Sequence, residues 1–150
     1  MPAEDRVVVR VQRDTDTPLP SYETADSAGM DLRAALEEPV RIEPGERVLI
    51  PTGLKLEIPC GYEGQVRPRS GLALKQGLTV LNAPGTIDSD YRGDLGVILV
   101  NLSAEAQTIE AGDRVAQLLI APVVQATLVE AVELSASERG AGGFGSTGRR

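Results

Sequence analysis

Short runs of alternating apolar and polar residues, each closed by a glycine or proline turn, constrain this chain more than any other feature. Val7, Val9 and Val11 alternate with Val8, Arg10 and Gln12, the period-two signature of a strand with two unlike faces. Leu54, Leu56 and Ile58 alternate with Lys55 and Glu57 in the same way. Leu95 to Val100 and Val115 to Ile120 are nearly continuous apolar runs, which predicts strands buried on both faces. Thr127 to Leu134 predicts one more strand. Turn signals separate them: Glu43-Pro44-Gly45-Glu46, Pro59-Cys60-Gly61, Ala83-Pro84-Gly85 and Glu110-Ala111-Gly112-Asp113. The pattern predicts an all-β sandwich or barrel. One short helix interrupts it, with Ser70 as N-cap, Leu72 to Gln76 as its body and Gly77 closing it in the left-handed region.

With 150 residues the chain suits one domain, read as a β core over 1–134 and a flexible arm over 135–150. Aromatic residues are only 3%, so the core must be built from Val, Leu, Ile and Ala. The absence of His excludes Ser-His-Asp triads, Cys-His pairs and His-bearing zinc sites, which leaves acid-base work to carboxylates. Cys60 has no partner for a disulfide within the chain. With no signal-peptide core near Met1 and no run approaching the ~20 apolar residues of a membrane span, the expected location is cytoplasmic, away from membranes. A net charge of -7 argues against a nucleic-acid polymer as partner, while a single nucleotide needs only a local pocket of donors.

The most informative stretch runs from Asn82 through Ala83-Pro84-Gly85-Thr86-Ile87-Asp88-Ser89-Asp90-Tyr91-Arg92-Gly93 to Asp94. Turn residues at both ends with Ile87 and Tyr91 between them read as a β-hairpin, and a solvated acidic loop is the plain alternative. The stretch is similar to the third motif of the trimeric dUTPase family. Four further segments resemble that family's motifs in the right order: Ala28-Gly29-Met30-Asp31-Leu32-Arg33-Ala34, Arg67-Pro68-Arg69-Ser70-Gly71-Leu72-Ala73, Gly112-Asp113-Arg114-Val115-Ala116-Gln117-Leu118, and the arm from Arg139 to Gly148. Met30 departs from the family, which commonly carries an aromatic there.

The resemblance implies a jelly-roll-like (β-clip) homotrimer that hydrolyses dUTP to dUMP and pyrophosphate, limiting uracil in DNA and supplying dUMP. It assigns the general base to Asp88, which would activate a water against the α-phosphate; a carboxylate is the natural base in a His-free chain. The plain alternative is that Asp88 caps turn amides. Asn82 and the backbone around Gly85, Thr86 and Ile87 would meet uracil, and Tyr91 would pack under the sugar and exclude a 2′-hydroxyl. Arg69, Ser70 and Gly71 would receive the triphosphate at the start of the short helix, with Gln117 adding a donor. Arg67 is a weaker candidate than Arg69. Mg²⁺ would be carried mainly by phosphate oxygens and water. For Asp31 two roles stand side by side: a structural carboxylate bonded to Arg33 or to turn amides, or an outer ligand to water on that metal.

In the arm, Gly140 to Gly145 matches G-x-G-x-x-G, but no strand-turn-helix unit surrounds it and no P-loop Lys follows, so dinucleotide binding is excluded. A glycine-rich backbone with one aromatic suits a lid over a nucleotide. By resemblance Phe144 would stack on uracil, and Arg139, Ser146 and Thr147 would reach the phosphates. Each site would draw on three chains. The alternatives are a dCTP deaminase or bifunctional relative, which release of ammonia from dCTP would reveal, and a catalytically silent nucleotide-binding module.

Overall fold

The computed structural model describes residues 6–14 and 16–149. Among them ten strands and one helix form in the order β1 (Arg10–Arg13), β2 (Met30–Arg33), β3 (Val40–Ile42), β4 (Arg47–Glu57), β5 (Tyr62–Arg67), α1 (Ser70–Gln76), β6 (Leu78–Val80), β7 (Gly85–Ile87), β8 (Asp94–Asn101), β9 (Gln107–Ile109) and β10 (Arg114–Pro122). All pairings are antiparallel, in two four-stranded sheets ordered β1-β4-β8-β6 and β2-β10-β5-β7, with β3 and β9 paired apart. The all-β, jelly-roll-like expectation holds. Among the described residues no helix is long and apolar enough to cross a membrane.

The period-two pattern is what builds the core. In β4, Ile50, Leu54 and Leu56 are buried while Lys55 and Glu57 stay partly open. Val97 and Leu99 of β8 join them in one cluster with Leu32, Val66, Ala116 and Leu118 of the other sheet. Each such side chain stabilises the fold by about 1.5–3 kcal/mol. Among the described residues two polar side chains, Thr52 and Asn101, are buried, and both are satisfied. Thr52 donates its hydroxyl to the Leu95 carbonyl at 2.6 Å, where the β4–β8 register breaks between Pro51 and Lys55. Asn101 donates to the carbonyls of Ile42 and Glu105 and accepts from the Ser103 N–H and hydroxyl.

The turns follow their chemistry. Glu43 to Glu46 closes with the Glu46 carboxylate accepting the Glu43 N–H at 2.8 Å, and Asp113 does the same for Glu110 at 2.9 Å. Gly45 and Gly112 sit at φ 78 and 84, a region that costs other residues energy.

Five expectations need correction. The first strand does not begin at Val7: Arg10 already pairs with Glu57, the last residue of β4, so Val7 to Val9 have no ladder to join. No strand forms over Thr127–Leu134; β10 ends at Pro122, and Val124, Leu128, Val129, Val132 and Leu134 are exposed with no neighbouring strand to bond. β8 and β10 are not buried on both faces throughout, since Gly96, Ile98, Gln117 and Leu119 remain partly open. The cap of α1 is Arg69, in extended geometry and without a side-chain bond, so Ser70 is the first helical residue; Gly77 closes the helix at φ 66 as expected. The arms of the supposed hairpin are not paired to each other: β7 pairs with β5, while β8 pairs with β4 and β6.

Candidate active site

Because its two arms belong to different sheets, the segment from Asn82 to Asp94 crosses from one sheet to the other and bounds a cleft of about 670 Å³. Asn82, Gly85, Thr86, Ile87, Asp88 and Tyr91 line one side, and Leu49, Pro51, Gly96 and Ile98 form an apolar wall opposite. The open face of β8 is therefore a cleft wall. The turn at the tip is closed by the Tyr91 N–H donating to the Asp88 carbonyl at 3.1 Å, and Arg92 ties it further by donating to the carbonyls of Ser89 and Tyr91. Among the described residues the Asp88 carboxylate has no hydrogen-bond or ion-pair partner, so it does not cap the turn amides. It is exposed to the cleft.

Tyr91 is anchored at its far end, where the phenol donates to the Asp94 carbonyl at 3.0 Å. Its ring lies over Gly93, where a Cβ would come within 2.6 Å of Cζ. Gly93 thus supports Tyr91 from outside the cleft lining; the sequence marks it only as a turn residue at the end of the motif.

A second cleft of about 310 Å³ gathers Gly29, Asp31, Arg69, Ser70, Gly71 and Gln117, with Glu23 and Ser27 at its rim. The Asp31 carboxylate accepts from Arg69 Nε at 2.9 Å on one oxygen and from Arg114 Nη1 at 3.2 Å on the other. This corrects the expected pairing with Arg33, whose guanidinium instead donates to the Gly112 carbonyl. Gln117 donates to the Pro68 carbonyl at 3.0 Å, and its side chain fills the space where Gly29 lacks a Cβ. Arg67 turns along β5 to Gln65 and lines neither cleft. Among the described residues no three acidic or Cys side chains come together as a metal cage, and both Asp31 oxygens are occupied by guanidinium groups. The donor set does not fit an ion held by this chain.

The two clefts share no lining residue. The arm reaches neither: its hydrogen bonds are local, such as Arg139 Nε to the Gly142 carbonyl at 2.6 Å, and Phe144 is fully exposed at φ 50. Ser146 and Thr147 are exposed with it.

The dUTPase family pattern matches residues 15–148. The chain belongs to the dUTPase family. Among its relatives within that family, the deoxyuridine 5'-triphosphate nucleotidohydrolase of Desulfotalea psychrophila is 64% identical over 137 residues, covering 91% of each chain. That of an Anaeromyxobacter species is 59% identical over 149 residues, covering 99% of this chain and all of its own. Among solved dUTPase structures, that of Staphylococcus bacteriophage 80alpha with dUPNHPP superimposes with a TM-score of 0.86 at 30% identity, over 95% of this chain and 99% of its own. A variant dUTPase of phage phi11 of S. aureus, described for the coordination of a structural Mg(II) ion, gives a TM-score of 0.77 at 26% identity over 86% and 99%.

Proposed function

We propose that the chain hydrolyses dUTP to dUMP and pyrophosphate, with Asp88 as general base. The observation that carries this reading is the crossing segment, which places an uncommitted carboxylate in the same cleft as Asn82, Gly85, Thr86, Ile87 and Tyr91. Exposed main-chain groups there match the polar edge of uracil as a second base would, and a polar site of this kind rejects a mismatched edge strongly. The anchored Tyr91 ring packs against the sugar face and leaves no room for a 2′-hydroxyl. Asp88 takes a proton from a water aimed at the α-phosphate, and the pyrophosphate departs.

Arg69, Ser70, Gly71 and Gln117 receive the triphosphate in the second cleft. Magnesium enters as part of the substrate, bound to its phosphate oxygens and water, a mode that needs no protein cage. Asp31 acts as a structural partner of the arginines, a reading supported by its two guanidinium bonds.

On the single chain the clefts have no lining residue in common and the arm lines neither, which supports a site assembled from several chains. The working unit is a homotrimer in which one chain supplies the Asp88 segment, a second the Arg69 cleft and a third the arm over 135–150, with Phe144 stacking on uracil and Arg139, Ser146 and Thr147 reaching the phosphates. The exposed, unpaired Cys60 thiol suits a reducing, cytoplasmic setting. Incubation of the purified protein with dUTP, dCTP, dTTP and UTP, with and without magnesium, tests the activity. dUMP and pyrophosphate should form from dUTP alone and depend on the metal. Intact dUTP in the presence of magnesium would refute the reading.

A further inference from the structure

A bulge in β10 sets which side chains face the phosphate cleft. In the pairing of β10 with β2, Arg114 lies opposite Arg33, Ala116 opposite Leu32 and Gln117 opposite Asp31. Two residues of β10 after Arg114 therefore match one step of β2, and Val115 is the extra residue, buried together with Ala116. In a regular strand Arg114 and Gln117, three positions apart, would point to opposite faces. The bulge turns both to the face of Asp31.

The consequence is a three-member ion cluster. Asp31, with 16% of its side chain exposed, sits between Arg69 at 26% and Arg114 at 41%. Arg69 Nη1 also reaches the Arg114 carbonyl at 3.5 Å, so the Asp31 carboxylate and the Arg114 main chain together hold the Arg69 guanidinium. Of the two arginines only Arg69 lines the cleft. One carboxylate facing one arginine would leave the pair neutral and oppose an incoming anion. The second arginine leaves the cluster with a net positive charge.

We infer that Arg114 is a positioning residue: through Asp31 it orients Arg69 and keeps its charge available to the triphosphate. This inference rests on the assignment of the Arg69 cleft to phosphate. The test is a double-mutant cycle on the full-length protein with dUTP and magnesium, comparing wild type, Arg69→Gln, Arg114→Gln and the double variant, with Arg114→Lys alongside. Arg114→Gln should raise KM for dUTP about tenfold, the loss of one charge-assisted contact, while kcat changes little. Arg114→Lys should recover part of that loss because the charge returns. In the Arg69→Gln background Arg114→Gln should add almost nothing.

An unchanged KM in Arg114→Gln beside a raised KM in Arg69→Gln overturns the inference and leaves the phosphate cleft standing. Fully additive effects overturn it as well, since they make the two arginines independent. An unchanged KM in Arg69→Gln removes the phosphate assignment itself, and the role of Arg114 with it. Thermal melting of each variant accompanies the kinetics; should Arg114→Gln not fold, the cycle is run with Arg114→Met, which keeps the stem and removes the charge, under the same criteria.

Discussion

Asp88 and Tyr91 stand three residues apart on one turn, yet the chain treats them in opposite ways. Tyr91 is fixed at its phenol end, by Gly93 against the hydroxyl and Cζ and by the Asp94 carbonyl, whereas among the described residues the Asp88 carboxylate has no partner. A base must be free to change partners; a steric gate must not move. Asp88→Ala should lower kcat by ~10²–10⁴ with folding intact, measured by pyrophosphate release. Tyr91→Ala should narrow the preference for dUTP over UTP, and Gly93→Ala should do the same more weakly by pushing the ring aside, read from the two kcat/KM values. An unchanged ratio in both variants removes the gate. That Asp88 and Tyr91 share one turn was legible because the stretch is dense in turn residues, while their roles came from the resemblance to the dUTPase family. Gly93, Gly29 and Arg114 were not, since their contacts depend on how a turn and a bulge bring distant atoms together, and a string of letters does not carry that.

Elements show the same division. The alternation in β4 was readable because one face is buried and the other is not, and register then follows from burial. The strand expected over Thr127–Leu134 has strand-forming residues but no partner strand and no single apolar face, so composition proposes a strand and hydrogen-bonding neighbours make one. The pairing of β7 with β5, in place of β8, was equally hidden: a turn motif says that the chain reverses, not which sheet receives it. Buried polar groups are the other hidden links. Asn101 ties β8 to β3 and to the loop after it through four bonds with no exposure of its own. Asn101→Ala should destabilise the fold by about 3 kcal/mol, since several buried groups lose partners at once. Urea unfolding checks this, and a loss within experimental error would show that water replaces the side chain.

For the whole molecule the proposed trimer turns on one observation: the Asp88 cleft and the Arg69 cleft have no lining residue in common, and the arm lines neither. Trimers of Asp88→Ala and trimers truncated after Glu138 should each be nearly inactive. Refolding them together should restore activity, because some mixed sites would take the Asp88 segment from one parent and the arm from the other. If co-refolding yields folded trimers with no activity, sites are not shared. Truncation after Glu138 should leave the melting temperature nearly unchanged, as the arm's bonds are all within itself.

Val124, Leu128, Val129, Val132 and Leu134 stay wet on a solitary copy, an apolar strip of the kind that marks a contact with another protein surface. Dilution then becomes an enemy in its own right. With that strip as a seam of the proposed trimer, turnover per chain should decay after dilution to low nanomolar concentration, and polar replacement of those side chains should abolish assembly.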